Sequence, residues 1–387
     1  MDWNVAAIWM ALAVVAALFA IWFRISVALT EILVGVLAGA LLGKETLHTN
    51  AAWVGFLAGV GSVVLTFLAG AELDPETLKR SWKEAFGIGL AGFFAPFLGA
   101  AWLAHVLLGW DARASWLAGV ALSTTSVAVV YAVMLELGLN QTPFGKVILA
   151  ACFVNDLGTV LALGLLFAPF GPATLVFAVG LALGLYLLAR VTPALFHRYG
   201  GGTYELEAKF LLLVLFALGA LAVWSGSEAV LPAYLVGMVL AGTVGQDHGL
   251  IRRLRTLTFG LLTPFYFLKA GSLVSLPALL AGFGGFLALL LAKMVTKVVG
   301  VYPTTLLFRY GGRDATYTTL LMSTGLTFGT ISSLYGLTHG IINEGQYSLL
   351  VAAVVASAVV PTWIANRFFL PHHHLPPVPR APEEVAE

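Results

Sequence analysis

The sequence predicts an all-α polytopic membrane protein with about thirteen transmembrane helices. The chain of 387 residues is 60% hydrophobic and only 10% charged, with a mean hydropathy of +0.95. These values lie well outside the usual range of soluble proteins. Apolar runs long enough to cross a hydrocarbon core of about 30 Å recur along the whole chain. Because they do not alternate polar and apolar residues, they are predicted to be helices rather than barrel strands.

The first apolar run lacks the cleavage-site pattern of a removable signal peptide, so it counts as a span. The predicted spans are 4 to 23, 25 to 43, 51 to 71, 86 to 109, 114 to 137, 143 to 168, 171 to 190, 208 to 226, 229 to 245, 256 to 273, 277 to 302, 315 to 337 and 346 to 369. They make up a transmembrane domain over residues 1–370.

The basic residues predict the orientation, because cytoplasmic loops carry an excess of Lys and Arg. With the N-terminus outside and the C-terminus in the cytoplasm, the outer loops hold only Lys44 and Arg113. The cytoplasmic segments then hold fifteen of the twenty basic residues: Arg24, Lys79, Arg80, Lys83, Lys146, Arg190, Arg198, Lys209, Arg252, Arg253, Arg255, Arg309, Arg313, Arg367 and Arg380. If one span were missed or wrongly added, every later loop would be assigned to the opposite side, and this asymmetry would be lost.

The net charge, the cysteine count and the C-terminal composition limit the functions and bonds that we expect. A net charge of +1 argues against a nucleic-acid partner, and the single Cys152 excludes an intramolecular disulfide. We expect neither an enzyme nor a bound cofactor. Residues 371–387, "PHHHLPPVPRAPEEVAE", are predicted to be a disordered cytoplasmic tail, and their three histidines are a weak metal-binding signal.

Two spans resemble each other and predict an inverted repeat. "LSTTSVAVVYAVMLELGL" from Leu122 and "MSTGLTFGTISSLYGL" from Met322 both place hydroxyls and small residues at mid-span. The two lie seven spans apart, an odd separation, so they cross the membrane in opposite directions. Spans four to six would match spans eleven to thirteen, the arrangement in which transporters cross two broken helices near the midplane. Such a crossing suits a small ion.

The sixth span, "KVILAACFVNDLGTVLALGLLF" from Lys146, carries Asp156 near its centre, beside Asn155. A carboxylate there costs several kcal/mol unless it is paired, hydrated or protonated. A permanent ion pair with a lysine is the structural alternative. The functional interpretation is a proton/cation exchange site, because desolvation favours the protonated carboxyl while a bound cation favours the ionised one. Asn155, hydroxyls and freed carbonyls would complete an oxygen shell.

Other charged residues within the spans receive weaker interpretations. Lys293 and Lys297 lie four apart on one face of span eleven, and Lys293 is too deep to reach the interface easily. Lys297 is either functional or purely structural, whereas Lys269 is interpreted as structural. Three acidic residues nearer span ends are interpreted as solvated or packed against loops: Glu31, Glu136 and Glu228.

Several motifs together resemble the monovalent cation:proton antiporter superfamily, especially its bacterial sodium/proton and potassium/proton members. They are "TEILVGVLAGALLG" from Thr30, "TFLAGAELDPETLKRSWKEA" from Thr66, "TTSV" from Thr124, the Asn155-Asp156 pair and "KVVG" from Lys297. The resemblance covers nearly the whole chain. Its most specific part is "FLAGAELDP" combined with the Asn-Asp pair in the sixth span.

The resemblance implies a homodimer in the bacterial inner membrane, exchanging Na⁺, or K⁺ or Li⁺, for H⁺ in pH homeostasis. It implies a mobile core of spans four to six and eleven to thirteen, and a dimerisation domain made of the others. It also implies a cation and proton site at Asp156 and Asn155 with Thr125 and Ser126 at the crossing, and a modulating or salt-bridging role for Lys297. Gly325 and Thr327 depart from relatives that carry Arg and Glu there.

Other classes of protein fit less well. An intramembrane aspartyl protease would need two deep carboxylates, and a cation channel would need a ring of ligands that nothing here repeats. A sodium-coupled organic-anion symporter would also have two crossed, broken helices, but it requires a larger polar cavity. With Asn155 in place of a second acid, one carboxylate trades its proton for one cation, so exchange is expected to be electroneutral unless Lys297 releases a proton as well.

Overall fold

The computed structural model describes residues 3–23, 26–71, 73, 75–167, 171–201, 204–227 and 229–375, apart from the side chains of Ala128, Ala132, Leu135, Glu136 and Gln141. All regular secondary structure in these ranges is helical. The α-helices are α1 Trp3–Phe23, α2 Val27–Leu41, α3 Gly43–Thr46, α4 Ala52–Ala71, α5 Pro75–Arg80, α6 Trp82–Val106, α7 Ala112–Ser123, α8 Val127–Glu136, α9 Pro143–Phe167, α10 Pro172–Tyr199, α11 Leu206–Trp224, α12 Val230–Leu240, α13 His248–Leu257, α14 Thr263–Ser272, α15 Leu276–Ala281, α16 Phe283–Leu307, α17 Gly312–Met322, α18 Thr327–Thr338 and α19 Glu344–Phe368.

Eight of these helices are long and apolar enough to cross a membrane, namely α1, α4, α6, α9, α10, α11, α16 and α19. Two shorter apolar helices, α2 and α12, coincide with further predicted spans. The predicted span 114 to 137 consists of α7 and α8, and the span 315 to 337 consists of α17 and α18. The span 256 to 273 consists of a π-helical turn, Thr258–Leu262, followed by α14.

Some predicted boundaries were wrong. Helix α10 continues to Tyr199, well past the predicted end at 190, and α16 continues to Leu307 rather than 302. The apolar run ends before the helix does, because a helix satisfies its own backbone groups and can extend into the basic segment that carries Arg190 and Arg198. The predicted span 229 to 245 is helical only over Val230–Leu240.

The helices pack in two groups. In the first, α6 contacts α7, α9 and α16, while α19 contacts α16, α17 and α18. In the second, α14 packs on α2 and α4, and α12 packs on α4, α10 and α11. Across the boundary, Tyr234 of α12 donates a hydrogen bond to the Phe153 carbonyl of α9 at 2.9 Å, and its ring meets Phe328 edge-on at 5.6 Å.

Glycines lie at the contacts of two helix pairs in the second group. A Cβ added at Gly35 of α2 would collide with the Leu268 carbonyl of α14, and one added at Gly271 would collide with the Ile32 carbonyl of α2. In the same way, Gly70 of α4 lies against α12, and Gly237 of α12 lies against α4. Small residues let membrane helices approach until their backbones touch, which is how these pairs gain their packing energy.

The C-terminal segment differs in part from the expected disordered tail over 371–387. A short 3₁₀-helix, His372–His374, follows α19. The His374 ring stacks on Phe144 near the start of α9, with ring centroids 4.3 Å apart and planes 8° from parallel. This apolar contact gives the first tail residues a defined position, whereas residues 376–387 lie outside the described part of the chain.

Candidate functional site

Asp156 lies on the buried face of α9, in the middle of the molecule. Its side chain is 1% exposed, and its Oδ1 atom has no hydrogen-bond partner among the described residues. The neighbouring Asn155 is completely buried and donates a hydrogen bond from Nδ2 to the Gly89 carbonyl of α6 at 3.4 Å, while its Oδ1 atom has no partner there either. The pair therefore offers two buried oxygen atoms without donors, which is costly unless a proton, a water molecule or a cation supplies the missing contact.

Residues 124–126, between α7 and α8, are not helical, and neither are residues 324–326, between α17 and α18. The two interruptions contact each other through side chains separated by almost two hundred residues. Thr125 Oγ1 donates to the Met322 carbonyl at 2.8 Å, and the Ser126 amide donates to Thr324 Oγ1 at 3.4 Å. Ser126 Oγ accepts from the Val129 amide at 3.3 Å, so it caps the first turn of α8.

Two lysines from successive turns of α16 reach the same region, and both are fully buried. Lys297 Nζ donates to Thr125 Oγ1 at 2.9 Å. Lys293 Nζ has no hydrogen-bond partner among the described residues and lies against Gly325, so close that a Cβ at that position would overlap it. Both lysines lie close enough to Asp156 to interact with it electrostatically.

Helix ends complete the electrostatics of the site. The cavity beside Asp156 is lined by Val127 and Thr327, the first residues of α8 and α18, where the helix dipole is positive and favours a carboxylate. The hydroxyl that binds Lys297 is bonded to the last residue of α17, Met322, where the dipole is negative and favours an ammonium group. The Asp156 carboxylate and Lys297 thus each lie near helix ends whose dipole favours their charged forms.

The cavity at Asp156 has a volume of about 50 Å³ and lies between the two helix groups. Leu65, Leu68, Ala69 and Phe259 line it from the second group, and residues of α8, α9 and α18 line it from the first. A volume of this size holds a water molecule or two, or a small ion.

Two larger cavities flank this one along the same helices. A cavity of about 370 Å³ is lined by Tyr131 and Arg255, one turn along from Val127 and Phe259. On the other side, a cavity of about 170 Å³ is lined by Ser62, Ile331 and Lys269, among other residues. The residues that line each larger space thus lie about one helical turn along the same helices from those that line the Asp156 cavity.

The structure brings most of the predicted site residues together. Thr125 and Ser126 meet the second helix interruption, and Lys297 binds Thr125 directly. Asn155 instead turns its amide toward α6. Lys293, which lies too deep in span eleven to reach the interface easily, is fully buried.

The interpretation of Glu31 as solvated or loop-packed was wrong. Its side chain is 2% exposed, and its Oε2 atom has no hydrogen-bond partner among the described residues. Helix α2, which carries Glu31, contacts α1 and α14. Nothing in the local sequence indicates that packing. The side chain of Glu136 and the residue Glu228 lie outside the described part of the chain.

The sequence is similar to proteins that are named as cation/proton antiporters. Cation/H(+) antiporter 17 of Arabidopsis thaliana is 26% identical over 370 residues, which cover 89% of this chain but 45% of that protein. Probable Na(+)/H(+) antiporter 3 of Methanocaldococcus jannaschii is 25% identical over 326 residues, which cover 81% of this chain and 83% of that protein. The chain thus spans less than half of the plant relative's length.

The fold is shared with a solved structure, the sodium proton antiporter MjNhaP1 from Methanocaldococcus jannaschii. The TM-score is 0.70 with 15% sequence identity, over 93% of this chain and 95% of that one. A sequence model described as "Sodium/hydrogen exchanger, transmembrane" matches residues 10–369, nearly the entire chain. The chain therefore belongs to the transmembrane sodium/hydrogen exchanger family.

Proposed function

We propose that the protein exchanges a monovalent cation for protons across a membrane, and that Asp156 binds both ligands in turn. The observation that carries this proposal is a fully buried carboxylate with a free oxygen in a cavity of ion size, at the meeting of two helix interruptions. In a dehydrated site the carboxyl retains its proton until a cation replaces it on the same oxygens. Competition between the two ligands couples their movements.

The proposed oxygen shell includes Asp156 and Asn155, with Thr125 and Ser126 and the backbone of the interruptions completing it. Thr125 already donates to one partner and accepts from Lys297, so its hydroxyl acts mainly by fixing the crossing. Hard oxygen ligands suit Na⁺, Li⁺ or K⁺. We favour Na⁺, because the cavity is small. Both relatives are named as proton antiporters. The name of the Arabidopsis thaliana protein gives only "cation", whereas the name of the Methanocaldococcus jannaschii protein gives Na(+).

We further propose thirteen spans, with the N-terminus outside, the C-terminus in the cytoplasm of a bacterial cell, and two broken helices, α7–α8 and α17–α18, that cross. Pairwise packing supports the inverted repeat. If spans one to six correspond to spans eight to thirteen, α2 corresponds to α12 and α4 corresponds to α14. The contact between α2 and α14 then corresponds to the contact between α12 and α4. Both pairs meet through facing glycines.

Alternating access would involve the two helix groups. We propose that α6–α9 and α16–α19 form the mobile core, and that the remaining helices form the dimerisation domain of a homodimer. The position of Asp156 on the core, facing α4 and Phe259 of the other group, supports this division. In the proposed orientation the 370 Å³ cavity faces the cytoplasm and the 170 Å³ cavity faces outward, each one turn from the site.

The sodium-coupled organic-anion symporter is disfavoured by the size of the site. A cavity of about 50 Å³ is much smaller than the roughly 300 Å³ or more typical of sites for organic ligands. Cation exchange needs no additional space for a second solute.

The test uses purified protein in proteoliposomes with an internal pH dye. Addition of Na⁺, Li⁺ or K⁺ should drive proton flux in the absence of any organic solute, and choline, the negative control, should not. Proton flux that requires an organic anion, or that proceeds equally with choline, would refute the proposal.

A further inference from the structure

A cluster of metal-ligating side chains lies far from Asp156, where the chain leaves α19 and folds back on the core. Asp314 occupies the first turn of α17, and His373 and His374 follow in the 3₁₀-helix. Each histidine places Nε2 3.2 Å from Asp314 Oδ2, and the three ligand atoms all lie within 4.8 Å of one another. Two separate parts of the chain, about sixty residues apart, thus converge on one point.

The spacing of these atoms matches a compact metal site. Zn²⁺ binds histidine nitrogen and carboxylate oxygen at about 2.0–2.2 Å, so two ligand atoms of a tetrahedral site lie about 3.4 Å apart. The two separations of 3.2 Å are close to that value, and a small movement of the imidazoles would open the centre for an ion.

The carboxylate and one imidazole are held in place without a metal. Asp314 is largely buried, and its Oδ1 atom has no hydrogen-bond partner among the described residues. His374 is stacked on Phe144, so its ring plane is fixed toward Asp314. His373 is the most exposed of the three, and it leaves an open side for water as the fourth ligand.

We propose that Asp314, His373 and His374 form a binding site for a divalent transition metal of the zinc type, with water in the fourth position. Two imidazoles and one carboxylate favour Zn²⁺ and its neighbours over Mg²⁺ or Ca²⁺, which prefer oxygen ligands alone. The ion would join the C-terminal segment to the start of α17, and α17 ends at the helix interruption near Asp156.

Neighbouring groups are consistent with three protein ligands rather than four. Tyr310 donates to Glu84 at 3.4 Å. Burial and the nearby Glu84 raise the pKa of Tyr310 above its ordinary value, so its phenol remains a neutral donor and not an anionic ligand. The adjoining cavity of about 610 Å³ is lined by both acidic and basic side chains, among them Glu84, Lys146 and Arg309.

The test measures Co²⁺ and Zn²⁺ binding to the full-length, tag-free protein in detergent. One Co²⁺ per chain should give the intense visible absorption of a tetrahedral site, and Zn²⁺ should displace it. Zn²⁺ should also raise the melting temperature, because it binds the folded state. His373→Ala, His374→Ala and Asp314→Asn should each weaken binding at least about tenfold.

His372→Ala is the matched control, because His372 lies in the same 3₁₀-helix but outside the cluster. It should bind metal like the wild type. Equal losses from His372→Ala and His373→Ala, with no loss from Asp314→Asn, would mean that the tail chelates metal by itself and would overturn the proposal. The absence of stoichiometric binding by the wild type would overturn it too, and that result does not depend on any variant folding.

Discussion

At residue 325, the absence of a side chain determines where a buried ammonium group can lie. Lys293 Nζ occupies the space that a Cβ at Gly325 would need, and Thr124 Oγ1 and Ser357 Oγ border the same space at 2.9 and 3.2 Å from that position. From the resemblance to cation:proton antiporters, we expect some of those proteins to carry Arg at the position of Gly325. In this chain the side chain of Lys293, from α16, fills the space beside Gly325, so Gly325 and Lys293 pack as a pair.

Gly325→Ala should therefore destabilise the protein by about 1–3 kcal/mol, the usual cost of overpacking. Lys293→Ala in the same chain should recover part of that loss, because it removes the nearest of the atoms that the new methyl group meets. Thermal unfolding of the single and double variants, combined in a double-mutant cycle, measures the coupling.

Gly59→Ala is the matched control for this cycle, since nothing lies within 4 Å of a Cβ added at Gly59 in the middle of α4. It should leave the melting temperature unchanged or raise it slightly. If Gly325→Ala were no worse than Gly59→Ala, the placement of Lys293 would be wrong.

At the scale of the helices, the site depends on two interruptions that are held against each other by few bonds. The hydroxyl cluster Ser123 to Ser126 allowed the sequence to predict the first interruption, because several such residues in a row compete for backbone hydrogen bonds. The partners could not be predicted. Thr125 and Met322 are 197 residues apart in sequence, and only tertiary packing brings them to 2.8 Å.

Thr125→Val preserves the shape of the side chain but removes the bond to Met322 and the acceptor for Lys297 Nζ. A buried polar group left without a partner costs about 1–3 kcal/mol. We expect the half-saturating cation concentration to rise about five- to hundredfold, with a smaller effect on turnover, because the hydroxyl holds the crossing rather than carrying the proton.

Cation-dependent flux in proteoliposomes measures both quantities. The control is Thr256→Val, whose exposed hydroxyl donates to the Arg252 carbonyl one turn earlier. A variant at Thr125 that kept its affinity and lost turnover instead would indicate that the hydroxyl takes part in the transfer itself.

At the scale of the whole molecule, apolar runs were sufficient to locate the helices, since each predicted span coincides with one helix or two consecutive ones in the described residues. Ends were predicted less well where helices continue beyond the apolar run, as in α10. The burial of Glu31 and the position of Lys293 could not be predicted, because each depends on contacts with a helix distant in sequence.

For the proposed exchange, the charge moved in one transport cycle depends on the groups at the site. Asp156 is one carboxylate, and Lys297 is bonded to a neutral hydroxyl rather than to an acid that exchange would release. One proton should leave for each cation that binds. Exchange should then be electroneutral, with the same rate at zero and at strongly negative membrane potential when the ion gradients are equal.

Proteoliposomes clamped with an ionophore, with Na⁺ as the exchanged cation and protein-free liposomes as the baseline, give this comparison. A clear acceleration or a shifted reversal point at negative potential would contradict one-for-one exchange. It would then assign the second proton to one of the lysines of α16.

The most direct test of the account is cation-driven proton flux through Asp156→Asn, measured beside the wild type and Asp111→Asn. Asp111 is the N-cap of α7, where Asn caps equally well, so that variant should transport normally. Asp156→Asn keeps the shape of the side chain and places no new charge in the core, so the protein should remain folded and monodisperse. Its flux should fall to the level of protein-free liposomes, because no group remains that can trade a proton for a cation. Flux near the wild-type rate in folded Asp156→Asn would contradict the account.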